Sequence, residues 1–437
     1  MTGLSAELAY LFRHALLRDA AYEMQLPSER AKLHELAFYL MEETFGGRAP
    51  APAPLDAAAP VEAAAHPTDS VALELVNHAG LALQGSGGAA ELANLRRLYL
   101  QRGAEHAGRA YQSDASASAW ELLAELTDGA SRGEALRRAA SVRALSGRTA
   151  AAETLFERAV ETQRQAGDRR MEGIALGGLA NLASETGRPD HAEELYQQAL
   201  QLMRDAGDRY SEGISLGNLA LLYQFTGRAE LAERTYERTL EIHRAVGNRR
   251  YEGIALGNLA LLHREQGRPD QAERGYEAAL AIHREVGNRR SEGIILGNLA
   301  ALYQDSQRPE QARDTYAAAL AIHRELGNRR SEAIARGNFA GLQRFAGRLD
   351  ASRRGYEEAL AMHREVGNRR FEGIHLCEYG LTLIALKHPR ARDVWLEGWA
   401  ILAQLGDRTN LDAQIAAMAF DCAEAGMAPF VEAPTQG

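Results

Sequence analysis

The segment Gly-Asn-Arg-Arg recurs from Gly247, Gly287, Gly327 and Gly367, at a constant interval of 40 residues. Gly-Asp replaces Gly-Asn at Gly167-Asp168, Gly207-Asp208 and, one residue early, Gly406-Asp407. A second break, Gly-Arg, falls near the middle of each unit at Gly147, Gly187, Gly227, Gly267 and Gly347, with Gln307 once in the glycine's place. Two breaks about 20 residues apart divide each unit into two helices of roughly 15 to 18 residues, antiparallel because the connections are short. No such pair buries its apolar face alone, so the units must stack into an extended array.

Capping chemistry agrees with that division. Gly287 suits the left-handed position that ends a helix, and Asn288 then supplies an N-cap acceptor for the next one. Pro189, Pro269 and Pro309 fit the first position of the second helix, where a missing N–H costs nothing. Glu252, Glu292, Glu332 and Glu372 fall in the first turn of the first helix, where its dipole favours an anion. A large residue recurs as Phe156, Tyr196, Tyr236, Tyr276, Tyr316, Tyr356 and Trp395, and a small one as Ala152, Ala192, Ala232, Ala272, Ala312 and Ser352. Bulky rings against alanines at fixed offsets let neighbouring helices interlock. The apolar content of 46% with only 6% aromatics is mostly Ala and Leu, which favours helix over sheet.

Charge and composition remove several functions. A net charge of −9 provides no general basic field for nucleic acid or an anionic membrane, so neither is expected as a partner. There is no run of 18 apolar residues, and Met1 to Tyr10 lacks a basic region ahead of an apolar core, which predicts a cytoplasmic protein. Cys377 and Cys422 are read as reduced thiols in a helical core. The two lysines, Lys32 and Lys387, both lack the glycines of a phosphate-binding loop, so no NTPase site is expected.

The pattern Asn258-Leu259-Ala260, Gly267, Ala272, Tyr276, Ala279 resembles the tetratricopeptide repeat in a 40-residue variant, similar to the repeats of kinesin light chains and of Leu-Gly-Asn-rich spindle-orientation adaptors. The resemblance implies an all-α, right-handed α-solenoid of helix-turn-helix repeats, whose first helices line a concave groove for peptides or partner helices. Seven units are expected over 131–407, diverged helical repeats over 71–130, a capping helix over 408–426 and a loose tail over 427–437. Residues 46–70, rich in Pro and Ala, read as an extended, disordered linker. The segment from Tyr10-Leu-Phe-Arg-His-Ala-Leu-Leu-Arg-Asp-Ala-Ala-Tyr22 through Leu26-Pro27-Ser28 to Leu33-His34 resembles the junction between ATPase module and repeats in bacterial STAND signalling ATPases. Residues 1–45 are accordingly expected to be remnant helices of such a module.

Catalytic and metal motifs fail on spacing. Gly213-Ile214-Ser215-Leu216-Gly217 matches a nucleophile-elbow pattern, but it lies inside a helix rather than on a strand-to-helix turn. His243, His283, His323 and His363 are one repeat apart, too far to share an ion. They are expected at the end of each second helix, facing its C-terminal dipole. No catalytic, cofactor or metal site is expected, and the chain is read as a non-enzyme.

Asn218, Asn258, Asn298 and Asn338 are the better candidates, with Asn181 displaced in the preceding unit. Helix interiors disfavour Asn, at about 0.5–0.7 kcal/mol each. The resemblance implies that these amides point into the groove and bond a ligand's backbone; an inter-repeat ladder or plain duplication is the alternative. Gly217, Gly257, Gly297 and Gly337 precede them, each expected to admit another backbone, from a neighbouring helix or a ligand. Leu221, Leu261, Gln224, Arg264, Gln304 and Arg344 follow on the same face by helical spacing. Net charge rises from −3 in the unit starting at Asp168 to +3 in the one starting at Asn328. The basic end, comprising Arg329, Arg330, Arg336, Arg344, Arg348, Arg353, Arg354 and Arg364, would suit a partner with an acidic segment. The expected partner is a protein or peptide in a signalling adaptor, or in the severed sensor half of a STAND switch; self-association is left open.

Overall fold

The computed structural model describes residues 22–57, 63–85 and 90–431. Among them every regular element is helical. The chain divides into two compact units, Met1–Leu222 and Tyr223–Gly437.

The first unit begins with α1 (Pro27–Thr44), a short 3-10 helix (Pro67–Val71), α2 (Ala72–Leu83), α3 (Ala90–Arg109) and α4 (Ser113–Glu125). Helix pairs follow as α5 (Gly129–Leu145) with α6 (Thr149–Ala166), and α7 (Arg169–Glu185) with α8 (Pro189–Asp205). Helix α9 (Arg209–Phe225) runs past the unit's last residue. The second unit continues with α10 (Ala229–Ala245), then the pairs α11 (Arg249–Glu265) with α12 (Pro269–Glu285), α13 (Arg289–Asp305) with α14 (Pro309–Glu325), α15 (Arg329–Phe345) with α16 (Leu349–Glu365), and α17 (Arg369–Ala385) with α18 (Ala391–Gln404). Helix α19 (Arg408–Glu424) ends the stack. In each pair the two members pack against each other, and in the second unit successive first helices touch directly.

The helix ends have the chemistry expected of them. Gly287 takes φ 66°, and the Asn288 side chain accepts from the Ser291 N–H, capping α13. Pro189, Pro269 and Pro309 open their helices at the first position. Gln307 at φ 56° and Lys387 at φ 51° enter the left-handed region where the remaining units place glycine.

The recurring arginines fasten unit to unit. Arg284 Nε donates to Glu292 Oε1 at 2.8 Å and Arg289 Nη1 to Glu292 Oε2 at 2.6 Å, while Arg289 also reaches Glu325 at 2.8 Å. The same clasp forms on Glu212, Glu252, Glu332 and Glu372. Those glutamates serve as buried anchors for two guanidiniums, beyond their place near the helix dipole. At the other break, Arg268 donates to Glu233 at 2.9 and 2.8 Å, and Arg308 to Glu273 at 2.7 and 3.0 Å. The core between them consists of Tyr276, Tyr316, Ala272, Ala312 and the leucines of α13.

Two segments are more tied down than their composition suggests. Residues 46–57 and 63–66 run without regular structure, yet Ala49 and Leu55 are buried. Arg102 donates to the carbonyls of Pro50 and Ala64 and pairs with buried Asp69 at 2.6 Å. Proline stiffens this stretch, and one buried guanidinium collects the carbonyls it leaves unbonded. At the other end, Phe430 is buried with its ring 6.1 Å from Trp395, so the described part of the tail, to Val431, is docked rather than loose. The first part of the STAND-like motif, Tyr10 to Ala21, lies outside the described residues, and its second part, Leu26 to His34, enters α1.

Candidate functional site

The four asparagines lie on first helices, partly buried, but have different surroundings. In the first unit, Asn218 donates to Asn181 Oδ1 at 3.0 Å, an atom that also accepts from the Tyr196 hydroxyl. These two amides line a cavity of about 340 Å³ with Phe156, Gly178, Met203 and Ser215. In the second unit, Asn338 Oδ1 lies 3.2 Å from His375 Nε2, whose Nδ1 is 2.9 Å from His363 Nε2. Asn258 and Asn298 form no hydrogen bond with any described residue. A uniform ligand-facing row therefore reduces to two free amides.

The preceding glycines divide differently, and only Gly297 has open space beside it. A Cβ on Gly257 would come 2.4 Å from Ile295 Cδ1, and one on Gly337 would run into the His375 ring. There the next first helix makes the close approach. At Gly297 a Cβ would meet nothing within 4 Å, which leaves open space beside Asn298.

Most of the remaining candidates are already engaged. Gln224 Nε2 donates to Glu265 at 2.7 Å and its Oε1 accepts from Tyr236 at 3.0 Å. Arg264 pairs with Asp305 at 2.7 Å, and Arg344 with Asp421 of α19 at 2.9 Å. Gln304 Oε1 is buried without a partner, as is the hydroxyl of Tyr276. Leu221 and Leu261 are partly buried, the latter against the α11–α14 core. Phe225 and Phe345 are 69% and 68% exposed. The basic end is largely neutralised in place: Arg329 pairs with Glu332 and Glu365, Arg336 with Glu332 and Glu358, Arg353 with Glu357, and Arg364 with Glu372 and Glu397.

Sequence reasoning passed over Glu378. It occupies the asparagine register one unit beyond Asn338, partly buried, and its Oε2 accepts from the Tyr356 hydroxyl at 3.1 Å. Burial pushes this carboxyl up to about 7, against the pull of the Tyr356 hydrogen bond and of Arg344. The signal was available as a break in register, a carboxyl where four units carry an amide.

Other candidates are structural. Ser215 is buried mid-helix, 3.5 Å from Met203 Sδ. The four ladder histidines are 0–2% exposed, and burial lowers each below its usual range. They are neutral packing groups, not cations answering a dipole; His283 fills the space left by Gly253. Both cysteines are buried and free. Among the described residues, no three His, Cys, Asp or Glu side chains gather to hold a metal ion. No helix among them is long and apolar enough to cross a membrane.

The tetratricopeptide repeat family model matches residues 131–205, 211–285 and 291–393, more than half of the chain. The chain belongs to the tetratricopeptide repeat family. Among solved structures with a similar fold is a Rap protein complexed with competence and sporulation factor, 12% identical, with TM-score 0.53 over 91% of this chain and 99% of that one. Another is a STAND protein with a tetratricopeptide repeat sensor from Pyrococcus horikoshii, 15% identical, TM-score 0.52, covering 80% of this chain and 55% of that one. This chain thus spans about half the length of that protein. A third is the set of nearly identical repeats of a putative kinesin light chain from Podosopora anserina, 18% identical, TM-score 0.37, covering 44% of this chain and 95% of that one. At these identities the likeness to the Rap and STAND proteins is one of fold alone. No curated protein matches the sequence. Within the tetratricopeptide repeat frame, Asn258, Asn298 and Gln304 lie on the first helices α11 and α13, and Tyr276 on the second helix α12.

Proposed function

We propose that this tetratricopeptide repeat protein is a non-catalytic adaptor, cytoplasmic and acting in signalling, that holds an extended peptide segment of a partner protein along its first-helix face. The observation that carries the reading is the pair of unpartnered amides, Asn258 and Asn298, beside open space at Gly297. An amide both donates and accepts, as a peptide unit does, so two of them in register suit a backbone laid across α11 and α13. The buried Gln304 Oε1 and Tyr276 hydroxyl provide further unsatisfied groups nearby. A neighbour of this fold is a Rap protein with its factor bound. An acidic partner segment would have to compete with Asp305 and Asp421 for Arg264 and Arg344.

The test is a paired substitution. Asn258→Ala with Asn298→Ala should weaken partner capture at least tenfold, each lost amide leaving a desolvated peptide group unpaired at about 1–3 kcal/mol. Folding should survive, because alanine is the better helix former. The exposed second-helix pair Arg274→Ala with Glu277→Ala should leave capture unchanged. Capture lost in this control and kept in the asparagine variant would refute the assignment.

A second reading, the sensor half of a STAND switch, draws on the N-terminal resemblance and on the neighbour from Pyrococcus horikoshii, whose repeats are a sensor. It predicts that these repeats act with an ATPase module carrying a phosphate-binding loop, detected as ATP turnover that responds to ligand binding on the repeats.

A further inference from the structure

We infer that Glu378 selects the bound segment by pairing with one of its lysine or arginine side chains. This rests on the reading of the first-helix face as a peptide site and adds the chemistry that the peptide must carry.

The carboxyl lacks a counter-ion. Among the described residues Glu378 forms no ion pair, and its carboxyl's one hydrogen bond comes from the neutral Tyr356 phenol of α16. Arg344 of α15 is the nearby cation, and it is committed to Asp421 of α19. The imidazoles that pack here bring no positive charge, since burial holds His375 at about 3 and His363 at about 4. Cys377 beside it is a neutral thiol, and the neighbouring phenols of Tyr379, Tyr356 and Tyr316 are all pushed above their ordinary value by burial. A half-desolvated carboxyl whose one nearby cation is paired to another acid is costly to ionise, and an incoming cation removes that cost. The buried carboxylates Glu212, Glu252, Glu292, Glu332 and Glu372 each carry an arginine, so a partly buried acid with no ion pair stands out against them.

Glu378 also lies on the same face as the free amides. It takes the asparagine register, and the buried Tyr316 phenol is within electrostatic reach of Arg264 and Asp305 on one side and Glu378 on the other. Asn338, between Asn298 and Glu378, is held by His375, so the backbone contacts end before the charged one begins. From α13 to α17 is two first-helix spacings of about 8–10 Å each, or about 20 Å. An extended segment covers that in about six residues. The basic residue should therefore lie about six positions from the peptide unit held at Asn298.

Panning a phage-displayed random peptide library against the full chain tests this. Enriched peptides should carry a Lys or Arg, and the synthetic peptide should lose about tenfold in affinity when that residue becomes Gln. Glu378→Gln, which keeps the shape and the Tyr356 contact, should cause the same loss, and the two changes together should cost little more than either alone. Binding to the parent should strengthen roughly tenfold between about pH 6 and pH 8 as the carboxyl ionises, and stay flat in Glu378→Gln. A melting temperature for Glu378→Gln at or above the parent's excludes misfolding as the cause. Peptides that bind Glu378→Gln as tightly as the parent, or enrichment without basic residues, would overturn the pairing alone. Binders indifferent to Asn258→Ala with Asn298→Ala but dependent on Glu378 would count against the backbone contacts alone. An absence of any binding peptide would remove both.

Discussion

Glu292 shows how one residue can hold two helices together. Burial pushes its carboxyl up, but hydrogen bonds from Arg284 and Arg289 outweigh that and keep it below its usual range. The arginines are half-exposed, at 59% and 43%, whereas the glutamate is 6% exposed. Removing the arginines therefore costs more than their own surface pairing suggests, since it leaves a buried charge alone. Arg284→Ala with Arg289→Ala should lower the urea midpoint of unfolding, and Glu292→Gln in that background should recover part of the loss. The asparagines teach a related lesson. Asn258, Asn298 and Asn338 have nearly the same local sequence, yet Asn338 is occupied because His375 stands where Ile295 and Ala335 stand in other units. Which amide is free depends on a side chain 37 residues away, so the row was legible in the sequence and its vacancies were not.

At the scale of elements, helix limits follow from local chemistry. Proline at the first position and glycine past the last leave the chain little choice, and the first-helix and second-helix lengths were readable from them. The ends of the array depend instead on long-range contacts. Arg102 binds a stretch whose composition reads as linker, and Phe430 covers Trp395 from a stretch that reads as tail. Phe430→Ala should cost about 3 kcal/mol in the last pair and α19. Hydrogen exchange should then quicken in α18 and α19 before α12 or α14. Removing residues 408–437 should go further, baring the α17–α18 core and lowering both solubility and melting temperature.

For the whole molecule, the buried histidines couple stability to acid. His243, His283, His323, His363 and His375 are all held below the usual 6.5, with His363 at about 4 and His375 at about 3. Above about pH 6.5 both folded and unfolded chains leave them neutral and no penalty arises. Below it the unfolded chain binds protons that the folded chain refuses, so stability falls with pH down to about 4. The cost at pH 5 is on the order of 1–2 kcal/mol for each of the deepest groups. Glu378, raised to about 7, acts the other way, gaining stability as it protonates, but it is one group against five. Thermal melts should therefore show a steep loss between pH 6.5 and pH 4.5, and His363→Leu with His375→Leu should flatten it. A parent whose melting temperature holds level across that range would contradict the assignment of neutral, buried imidazoles.

The clasps have a consequence for how such a chain can change its length. Arg284, Glu292 and Arg289 meet across a boundary whose parts recur every 40 residues, so excising residues 249–288 would join Asn248 directly to Arg289 and rebuild the seam with Arg244 in place of Arg284. Such a shortened protein should fold cooperatively, whereas excision of 20 residues would set a second helix against a second helix and leave its glutamate without guanidiniums. Growth and shrinkage by gene duplication are thereby quantised: the seam tolerates whole units and rejects fractions, and the ruler is an ion pair.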